Sequence, residues 1–271
     1  MQAAVLGSPV AHSLSPVLHA AAYAALDLKH TYSAIEVKND ELGKFLAGID
    51  SEWLGVSLTM PLKEVAFSFP DTCDEYATIT GAINTLVLQN GIQAFNTDVH
   101  GIVDAIVEAK SSEISTAVIF GSGATARSAL VALHKLGVKS VNCVARNKSD
   151  IELMAKIANE IGMCFECTPI RESGWLTSDV VINTTPVGVL DEVAREVTSP
   201  AGLLLDVVYN PWPTQLAASW AVSGGTIVSG LSMLLHQAGH QITLMTGEPA
   251  PIEHMRNALN VELLNRGLST I

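Results

Sequence analysis

The stretch of residues 116–146 constrains the fold of this chain most. A short, fully apolar run (116–120) is followed by a glycine-bearing turn, by apolar residues at helical spacing up to Gly137, and by a β-branched run (138–145). Strand, turn, helix and strand make one βαβ unit, and further alternating β and α patterns follow it. We therefore predict an α/β fold that includes a Rossmann-type domain.

The turn of this unit, Gly121-Ser122-Gly123-Ala124-Thr125-Ala126, stands in the dinucleotide-binding position. Gly121 lets the chain turn sharply, Gly123 lets a pyrophosphate approach the backbone, and Ala126 is small enough for helix and strand to pack. The free N–H groups at the helix start attract the anion. An ordinary glycine turn between a strand and a helix is the alternative interpretation.

The end of the second strand distinguishes the two dinucleotides. An NAD site usually has an acid there that holds the ribose 2′-OH. Here the sequence reads Ala145-Arg146-Asn147-Lys148, with no carboxylate before Asp150. A guanidinium and an ammonium suit a 2′-phosphate instead, and a merely solvated basic loop would be unusual in a chain of formal net charge −12. We predict NADP as the cofactor, with Arg146 and Lys148 near its 2′-phosphate.

The overall charge and the cysteines exclude several classes of protein. A net charge of −12 argues against nucleic acid and anionic membranes as partners. No apolar run approaches the ~20 residues of a membrane span, and the N-terminus lacks the basic region of a signal peptide. The CxxC spacing of Cys164 and Cys167 has no second pair at zinc-site spacing, and His236 and His240 lack a third ligand. We expect a cytoplasmic protein without a metal.

Two helices that begin at a proline precede the βαβ unit. Ser15 is predicted to be an N-cap, with Pro16 at the first helical position. Ser13 has no capping role, so two hydroxyls beside a helix start would form a receptor for a small carboxylate. A second helix, begun by Pro61, places Lys63 in its first turn, where the helix dipole repels a cation. Lys63 is therefore either a solvated lysine or one adjusted for acid–base chemistry.

Other polar residues stand at predicted element ends. Asn96-Thr97-Asp98 precedes a helix predicted over 99–109, and the simplest interpretation of Asp98 is an N-cap. If the fold brings Lys63 against Asp98, the carboxylate would orient the amine. A polar stretch over 111–115 is a predicted hinge. Asn183-Thr184-Thr185-Pro186-Val187-Gly188 is a strand-end loop suited to meeting a nicotinamide or ribose, and Gln237 is the one unusual polar residue of a helix predicted over 231–246.

A series of short motifs, in order between positions 7 and 237, resembles those of the shikimate dehydrogenase family. The motifs are Gly7-x-Pro9-x-x-His12-Ser13-x-Ser15-Pro16, Thr59-x-Pro61-x-Lys63, Gly81-Ala82-x-Asn84-Thr85, Asn96-Thr97-Asp98-x-x-Gly101, Asn183-Thr184-Thr185-Pro186-x-Gly188, Asp206-x-x-Tyr209-x-Pro211 and Gly230-Leu231-x-Met233-Leu234-x-x-Gln237. The resemblance implies a reversible, NADP-dependent reduction of 3-dehydroshikimate to shikimate, a step of aromatic amino acid biosynthesis.

The resemblance also implies two domains with a cleft between them. A substrate-binding α/β domain with a mixed sheet would comprise residues 1–100 and the C-terminal helices of 234–271. A Rossmann NADP-binding domain would comprise residues 101–233. The protein would be a monomer or a homodimer whose partners are shikimate and 3-dehydroshikimate.

The resemblance further implies roles for single residues. Lys63 and Asp98 would form the proton-transfer pair and would both bond the hydroxyl that becomes the ketone. Substrate contacts would come from Ser13, Ser15, Thr59, Lys63, Asn84, Asp98, Tyr209 and Gln237. Cofactor contacts would come from Gly121, Ser122, Gly123, Ala124, Thr125, Ala126, Arg146, Lys148, Thr184, Thr185, Val207 and Gly230.

Departures from the family pattern leave two alternatives. Ser57, Ala20 and Ala145 each stand where an asparagine is usual. A quinate/shikimate dehydrogenase that uses NAD is one alternative, but it should carry an acid near Arg146. A non-catalytic protein that senses shikimate or NADP is the other. Retention of the lysine and aspartate of the proton-transfer pair argues against a sensor, which needs the pocket but no proton relay.

Overall fold

The computed structural model of the chain describes residues 1–109 and 113–271. These residues form two compact units: the first comprises Met1–Gly101 and Leu234–Ile271, and the second comprises Ile102–Met233. The sequence-based division placed the first boundary one residue earlier. Residues 111 and 112 of the predicted hinge lie outside the described residues.

Strands of the described chain form two sheets of six. In chain order they are β1 (Gln2–Gly7), β2 (Thr31–Glu36), β3 (Trp53–Leu58), β4 (Thr72–Cys73), β5 (Thr85–Val87), β6 (Gln93–Phe95), β7 (Thr116–Phe120), β8 (Ser140–Val144), β9 (Cys164–Cys167), β10 (Val180–Asn183), β11 (Leu203–Asp206) and β12 (Thr226–Ser229). The first sheet has the order β2-β1-β3-β5-β6-β4 and is mixed. The second has the order β12-β11-β10-β7-β8-β9 and is parallel throughout.

Helices follow most of the strands. They are α1 (Ser15–Ala25), α2 (Leu42–Ala47), α3 (Leu62–Val65), α4 (Glu75–Thr80), α5 (Asp98–Ala109), α6 (Ala124–Lys135), α7 (Lys148–Glu160), α8 (Gln215–Val222), α9 (Gly230–Thr246) and α10 (Ile252–Asn265). Short 3-10 turns lie at Ala66–Ser68, Ile170–Glu172 and Val193–Glu196. No helix in the described ranges is long and apolar enough to cross a membrane.

Strand directions in the first sheet bring distant segments to one edge. β1 and β3 are parallel, so their carboxyl ends lie at the same edge. β5 runs antiparallel to β3, and its amino end lies there too, with Leu58 N donating to Asn84 O at 2.7 Å. β6 runs antiparallel to β5, so the segment 96–98 that follows β6 returns to that edge. We call this end of the first sheet the site edge.

A close-packed cluster of apolar side chains supports the backbone of the site edge. Leu6 of β1, Leu58 of β3, Leu62 of α3 and Ile83 before β5 belong to one buried cluster, and each has at most 2% of its surface exposed. Each of these residues is adjacent to, or within two positions of, a polar residue of the edge. Burial of apolar side chains therefore fixes the backbone from which the polar side chains project.

The second sheet has the dinucleotide-binding topology. Counted from β7, the order β9-β8-β7-β10-β11-β12 is the doubly wound 3-2-1-4-5-6 arrangement. Strands β10 and β11 are buried along their whole length, as parallel strands covered on both faces are. The strand order reverses between β7 and β10, and ligands of such sheets bind outside the strand ends at that point. The predicted Rossmann-type sheet and the α/β class are confirmed.

Candidate active site

Lys63 and Asp98 meet at the site edge. Lys63 Nζ donates to Asp98 Oδ2 at 2.5 Å, and the two side chains are 17% and 6% exposed. Lys63 comes from α3, directly after the loop that leaves β3, and Asp98 is the first residue of α5. Because both groups are largely withdrawn from water, their attraction is screened less than that of a surface pair. The structure thus joins the two residues that the sequence analysis considered as a pair.

Two local interpretations of this pair were wrong. Asp98 is not an N-cap, because it lies inside α5 and its carboxylate bonds side chains instead; Asn96 Oδ1 accepts from Asp98 N at 3.1 Å. Helix α3 is a single turn, so Lys63 lies in its last turn as much as in its first. A helix this short gives no dipole argument for singling out the lysine. The hydrogen bond to Asp98 is what singles out Lys63.

Asn84 donates a hydrogen bond to the second oxygen of the Asp98 carboxylate. Its Nδ2 donates to Asp98 Oδ1 at 2.8 Å and to Thr97 Oγ1 at 2.9 Å. Gln237 Oε1, from α9, lies 3.4 Å from both Asn84 Nδ2 and Thr97 Oγ1, and its Nε2 donates to Leu234 O at 3.0 Å. Of these two predicted substrate contacts, Asn84 therefore bonds Asp98 directly, and Gln237 lies beside Asn84.

The predicted capping role of Ser15 was wrong. Helix α1 begins at Ser15 with Leu14 as its N-cap, so Ser15 does not cap the helix. Ser13 Oγ instead accepts from Ser15 N at 3.2 Å. Proline fits either of the first two helical positions, so Pro16 could not fix the boundary to one residue. Within the described residues, the Ser15 hydroxyl makes no side-chain hydrogen bond, which leaves it to a ligand.

Thr59 and Tyr209 complete the predicted substrate contacts. Thr59 follows β3 at the site edge and packs on Gly7, where any Cβ would overlap Thr59 Cγ2. Glycine at position 7 is therefore required by this close approach of two loops. Tyr209 follows β11 in the second unit and is half-buried.

Gln241, one turn beyond Gln237 on α9, was missed by the sequence analysis. Only 1% of its surface is exposed. Its Nε2 donates to Thr85 Oγ1 at 2.9 Å, and its Oε1 accepts from Ser57 Oγ at 2.8 Å and faces His19 Nε2 at 3.3 Å. Residues four apart share a helix face, so the buried position of Gln237 was itself a signal for Gln241. Ser57, one of the departures from the family pattern, is thereby part of a connected polar network.

The turn after β7 has the geometry of an anion site. Gly121 has φ 104°, and a Cβ there would overlap Thr184 Oγ1. Gly123 is the N-cap of α6 and provides no side-chain cap, and, its chain neighbours aside, no atom of the described residues lies within 4 Å of the position its Cβ would take. The first N–H groups of α6 therefore receive no hydrogen bond from an N-cap side chain. This combination fits a dinucleotide pyrophosphate.

Neighbouring predicted cofactor residues shape the backbone around that turn. Thr184 Oγ1 donates to Phe120 O at 2.7 Å, and Thr185 Oγ1 donates to Asn183 Oδ1 at 2.7 Å. Gly230 starts α9 so close to Val207 that a Cβ would overlap the Val207 carbonyl oxygen. The structure thus brings Thr184 against Gly121 and Gly230 against Val207.

Arg146 and Lys148 are exposed cations at the end of β8 and the start of α7. Asn147 between them caps α7, accepting from Ser149 N at 3.2 Å and donating to Asp150 Oδ2 at 2.9 Å. The next carboxylate along the chain, Asp150, is therefore held by an asparagine. In the ranges that the structure describes, neither cation forms an ion pair, so both are available to a phosphate.

The remaining candidate ligands form no metal centre. His240 stacks on His100 with ring centroids 4.4 Å apart. In residues 1–109 and 113–271, no group of three or more His, Cys, Asp or Glu side chains is placed to hold a metal ion. Cys143 is buried and donates to Gly121 O at 3.5 Å; burial raises the pKa of its thiol to about 12, so it remains protonated.

His19 makes the stability of the fold depend on pH. Burial lowers the pKa of His19 to about 3, from 6.5 in the unfolded chain. Between these values the unfolded state binds a proton that the folded state does not, so stability falls as pH decreases through that window. At about pH 5 we expect a loss of ~2 kcal/mol relative to neutral pH from this group.

Urea unfolding of wild type and His19→Gln at both pH values measures this term. Burial raises the pKa of Asp74 and of Asp206, which acts in the opposite direction but equally in both proteins. The wild type should therefore lose about 2 kcal/mol more than the variant on acidification. An equal loss in the two proteins would show that His19 takes no part.

Family models and related proteins that match this chain are described as shikimate dehydrogenases. A family model described as shikimate dehydrogenase substrate binding domain matches residues 5–86, and one described as shikimate 5′-dehydrogenase C-terminal domain matches residues 230–259. The shikimate dehydrogenase (NADP(+)) of Methanococcoides burtonii is 34% identical, over 94% of this chain and 96% of the relative.

Solved structures agree. The shikimate dehydrogenase of Mycobacterium tuberculosis is similar with a TM-score of 0.90 and 40% identity, over 96% of this chain and 99% of that one. The shikimate 5-dehydrogenase of Thermus thermophilus, solved in complex with NADP(H) and shikimate, has a TM-score of 0.85 and 29% identity, over 96% and 99% of the two chains.

Proposed function

This chain belongs to the shikimate dehydrogenase family, and on that premise we propose that Lys63 and Asp98 transfer the proton in its reaction. The reaction is the reversible, NADPH-dependent reduction of 3-dehydroshikimate to shikimate in aromatic amino acid biosynthesis, so the protein is an NADP-dependent oxidoreductase. The observation that carries the proposal is the hydrogen bond of Lys63 Nζ to Asp98 Oδ2 at the site edge.

Reduction of the ketone requires a hydride at carbon and a proton at oxygen. Bound NADPH supplies the hydride. Lys63, as the ammonium, donates the proton to the carbonyl oxygen as it becomes a hydroxyl, and in the reverse direction the neutral amine accepts it. Asp98 holds the amine through Oδ2, while Asn84 holds the other carboxylate oxygen. The chain thus contributes alignment and the proton.

Substrate binding is assigned to side chains around this pair. The Ser15 hydroxyl, unused by the helix cap, and the adjacent Ser13 would receive the substrate carboxylate. Thr59, Gln237 and Tyr209 would bond the remaining oxygens of the ring. The position of Gln237 supports this assignment, because its Oε1 lies 3.4 Å from Asn84 Nδ2, and Asn84 bonds Asp98.

Cofactor binding is assigned to the second unit. The turn from Gly121 to Ala126 would hold the pyrophosphate, and Arg146 and Lys148 would hold the 2′-phosphate. Thr184, Thr185, Val207 and Gly230 would line the nicotinamide side. A cytoplasmic location and a monomeric or homodimeric state remain predictions from the sequence.

Initial rates with shikimate and quinate, each with NADP and NAD, test the proposed activity. We expect the highest kcat/KM for shikimate with NADP, since the chain has a cation where NAD-dependent relatives should have an acid. A higher kcat/KM for quinate with NAD would establish the other dehydrogenase. No turnover in any of the four combinations would favour a sensor.

A further inference from the structure

The hydrogen bonds of the Asn84 side chain allow only one assignment of donors and acceptors. A backbone N–H can only donate, so the 2.8 Å bond from Thr97 N requires Asn84 Oδ1 to face Thr97. Asn84 Nδ2 then points at Asp98 Oδ1, 2.8 Å away. Thr85 Oγ1 lies 2.8 Å from Asn84 Oδ1, an acceptor, and must give it its single proton.

Gln241 is the next member of this chain of bonds. Since the Thr85 proton is already used, Thr85 Oγ1 can only accept, and Gln241 Nε2 donates to it at 2.9 Å. Gln241 Oε1 therefore faces Ser57, whose hydroxyl donates to it at 2.8 Å. Ser57 Oγ in turn accepts from Tyr32 Oη at 2.6 Å. Each hydroxyl proton has one assignment, so the amide of Gln241 cannot turn over without breaking several bonds.

The hydrogen bond of His19 is consistent with this assignment of donors and acceptors. Its Nε2 faces Gln241 Oε1, an acceptor, at 3.3 Å and must carry the proton. Its Nδ1 is buried without a hydrogen-bond partner in the described chain, as suits a bare lone pair better than an N–H. The His19 ring also stacks on Tyr32 at 3.7 Å between centroids, which holds both ends of the network together.

We propose that Gln241 is a positioning residue for proton transfer: it holds Thr85 as a further donor to Asn84 Oδ1, in addition to Thr97, and so helps to keep the Asn84 amide nitrogen aimed at Asp98. Without it, the Thr85 hydroxyl is free to turn away from Asn84. Asn84 Oδ1 is then held by Thr97 alone, so Asn84 Nδ2 is fixed less firmly against Asp98 Oδ1 and the carboxylate gains freedom to rotate out of line with the amine. This inference rests on the proposed role of the Lys63–Asp98 pair.

Paired substitutions test the positioning role. Gln241→Met removes both polar groups at similar length, and Thr85→Val removes the hydroxyl at nearly constant volume. Thr85→Ser keeps the hydroxyl, and Ile242→Val, a buried neighbour on α9, controls for loosening of the helix. We expect Gln241→Met and Thr85→Val to lower kcat about 10-fold, because misalignment of a proton donor reduces the rate steeply. The KM for shikimate and the affinity for NADPH should remain unchanged, and Thr85→Ser should restore kcat.

Each result of these measurements either supports or contradicts the positioning role of Gln241. A kcat within about 2-fold of wild type for Gln241→Met and Thr85→Val overturns the positioning role. So does a loss of kcat accompanied by an equal rise in KM and weaker NADPH binding, which indicates general damage. If Gln241→Met does not fold, Thr85→Val and Thr85→Ser decide by the same criteria. Lys63→Met, measured alongside, separates the hypotheses: wild-type kcat there contradicts the proposed function, whereas its loss with an unimpaired Gln241→Met contradicts positioning alone.

Discussion

Lys63→Ala is expected to lower kcat for shikimate oxidation by roughly 10²–10⁴-fold, the range that one positioned proton-transfer group contributes. The fold should survive, because the adjacent Leu62, not Lys63, supplies the buried contact of α3. NADP affinity should also survive, since the residues proposed to bind the cofactor lie in the second unit. Steady-state rates together with NADPH binding by fluorescence measure both expectations.

Variants of matched shape separate chemistry from packing. Lys63→Met retains most of the side-chain bulk, so an equal loss of kcat there would exclude a cavity effect. Asp98→Asn keeps a hydrogen-bonding side chain of the same size and should also reduce kcat. The two losses should be far from additive in the double variant, because the residues act as one unit. A near-normal kcat for Lys63→Ala would contradict the mechanism and favour a sensor.

Arg146→Asp is expected to change the preference between NADP and NAD by about 2–4 kcal/mol in favour of NAD. The substitution would remove the proposed charge-assisted contact to the 2′-phosphate and add a carboxylate that repels it. The same carboxylate can accept a hydrogen bond from the ribose 2′-OH of NAD. The ratio of kcat/KM values for the two cofactors measures the change directly.

A control of equal charge shows whether the effect is local. Arg171 is exposed, lies in the same unit and belongs to none of the predicted sites, so Arg171→Asp makes the same change of charge elsewhere. It should leave the cofactor ratio unaltered. If Arg146→Asp also leaves the ratio unaltered, the 2′-phosphate is bound by other groups, and Lys148→Ala becomes the informative variant.

The second unit could be predicted closely from the sequence because its signals are local. A buried parallel strand is a short, continuously apolar run, and the run at 116–120 is β7 to the residue. The glycine turn and the helix after it follow within a few positions, so the whole βαβ pattern can be recognised in one window. The parallel strand order then follows from the alternation of elements.

The contact between Lys63 and Asp98 could be suggested but not established from the sequence. It depends on the register of β3, β5 and β6, which is fixed by side chains buried across the sheet and not by spacing along the chain. Element boundaries at Ser15 and Asp98 were misplaced by one residue, and that single step reversed the capping assignments. Gln241 was missed because its partners come from three other chain segments.

The first unit takes its sequence from both ends of the chain, and this has a consequence for biosynthesis. A ribosome has completed β1 to β6, the Lys63 and Asp98 segments and the entire second unit before it reaches Gln237 and Gln241. An emerging chain can therefore possess the proton-transfer pair and the turn for the cofactor while both α9 amides are still missing. The proposed acid–base pair is held in its final arrangement only after residues 234–241 have been translated.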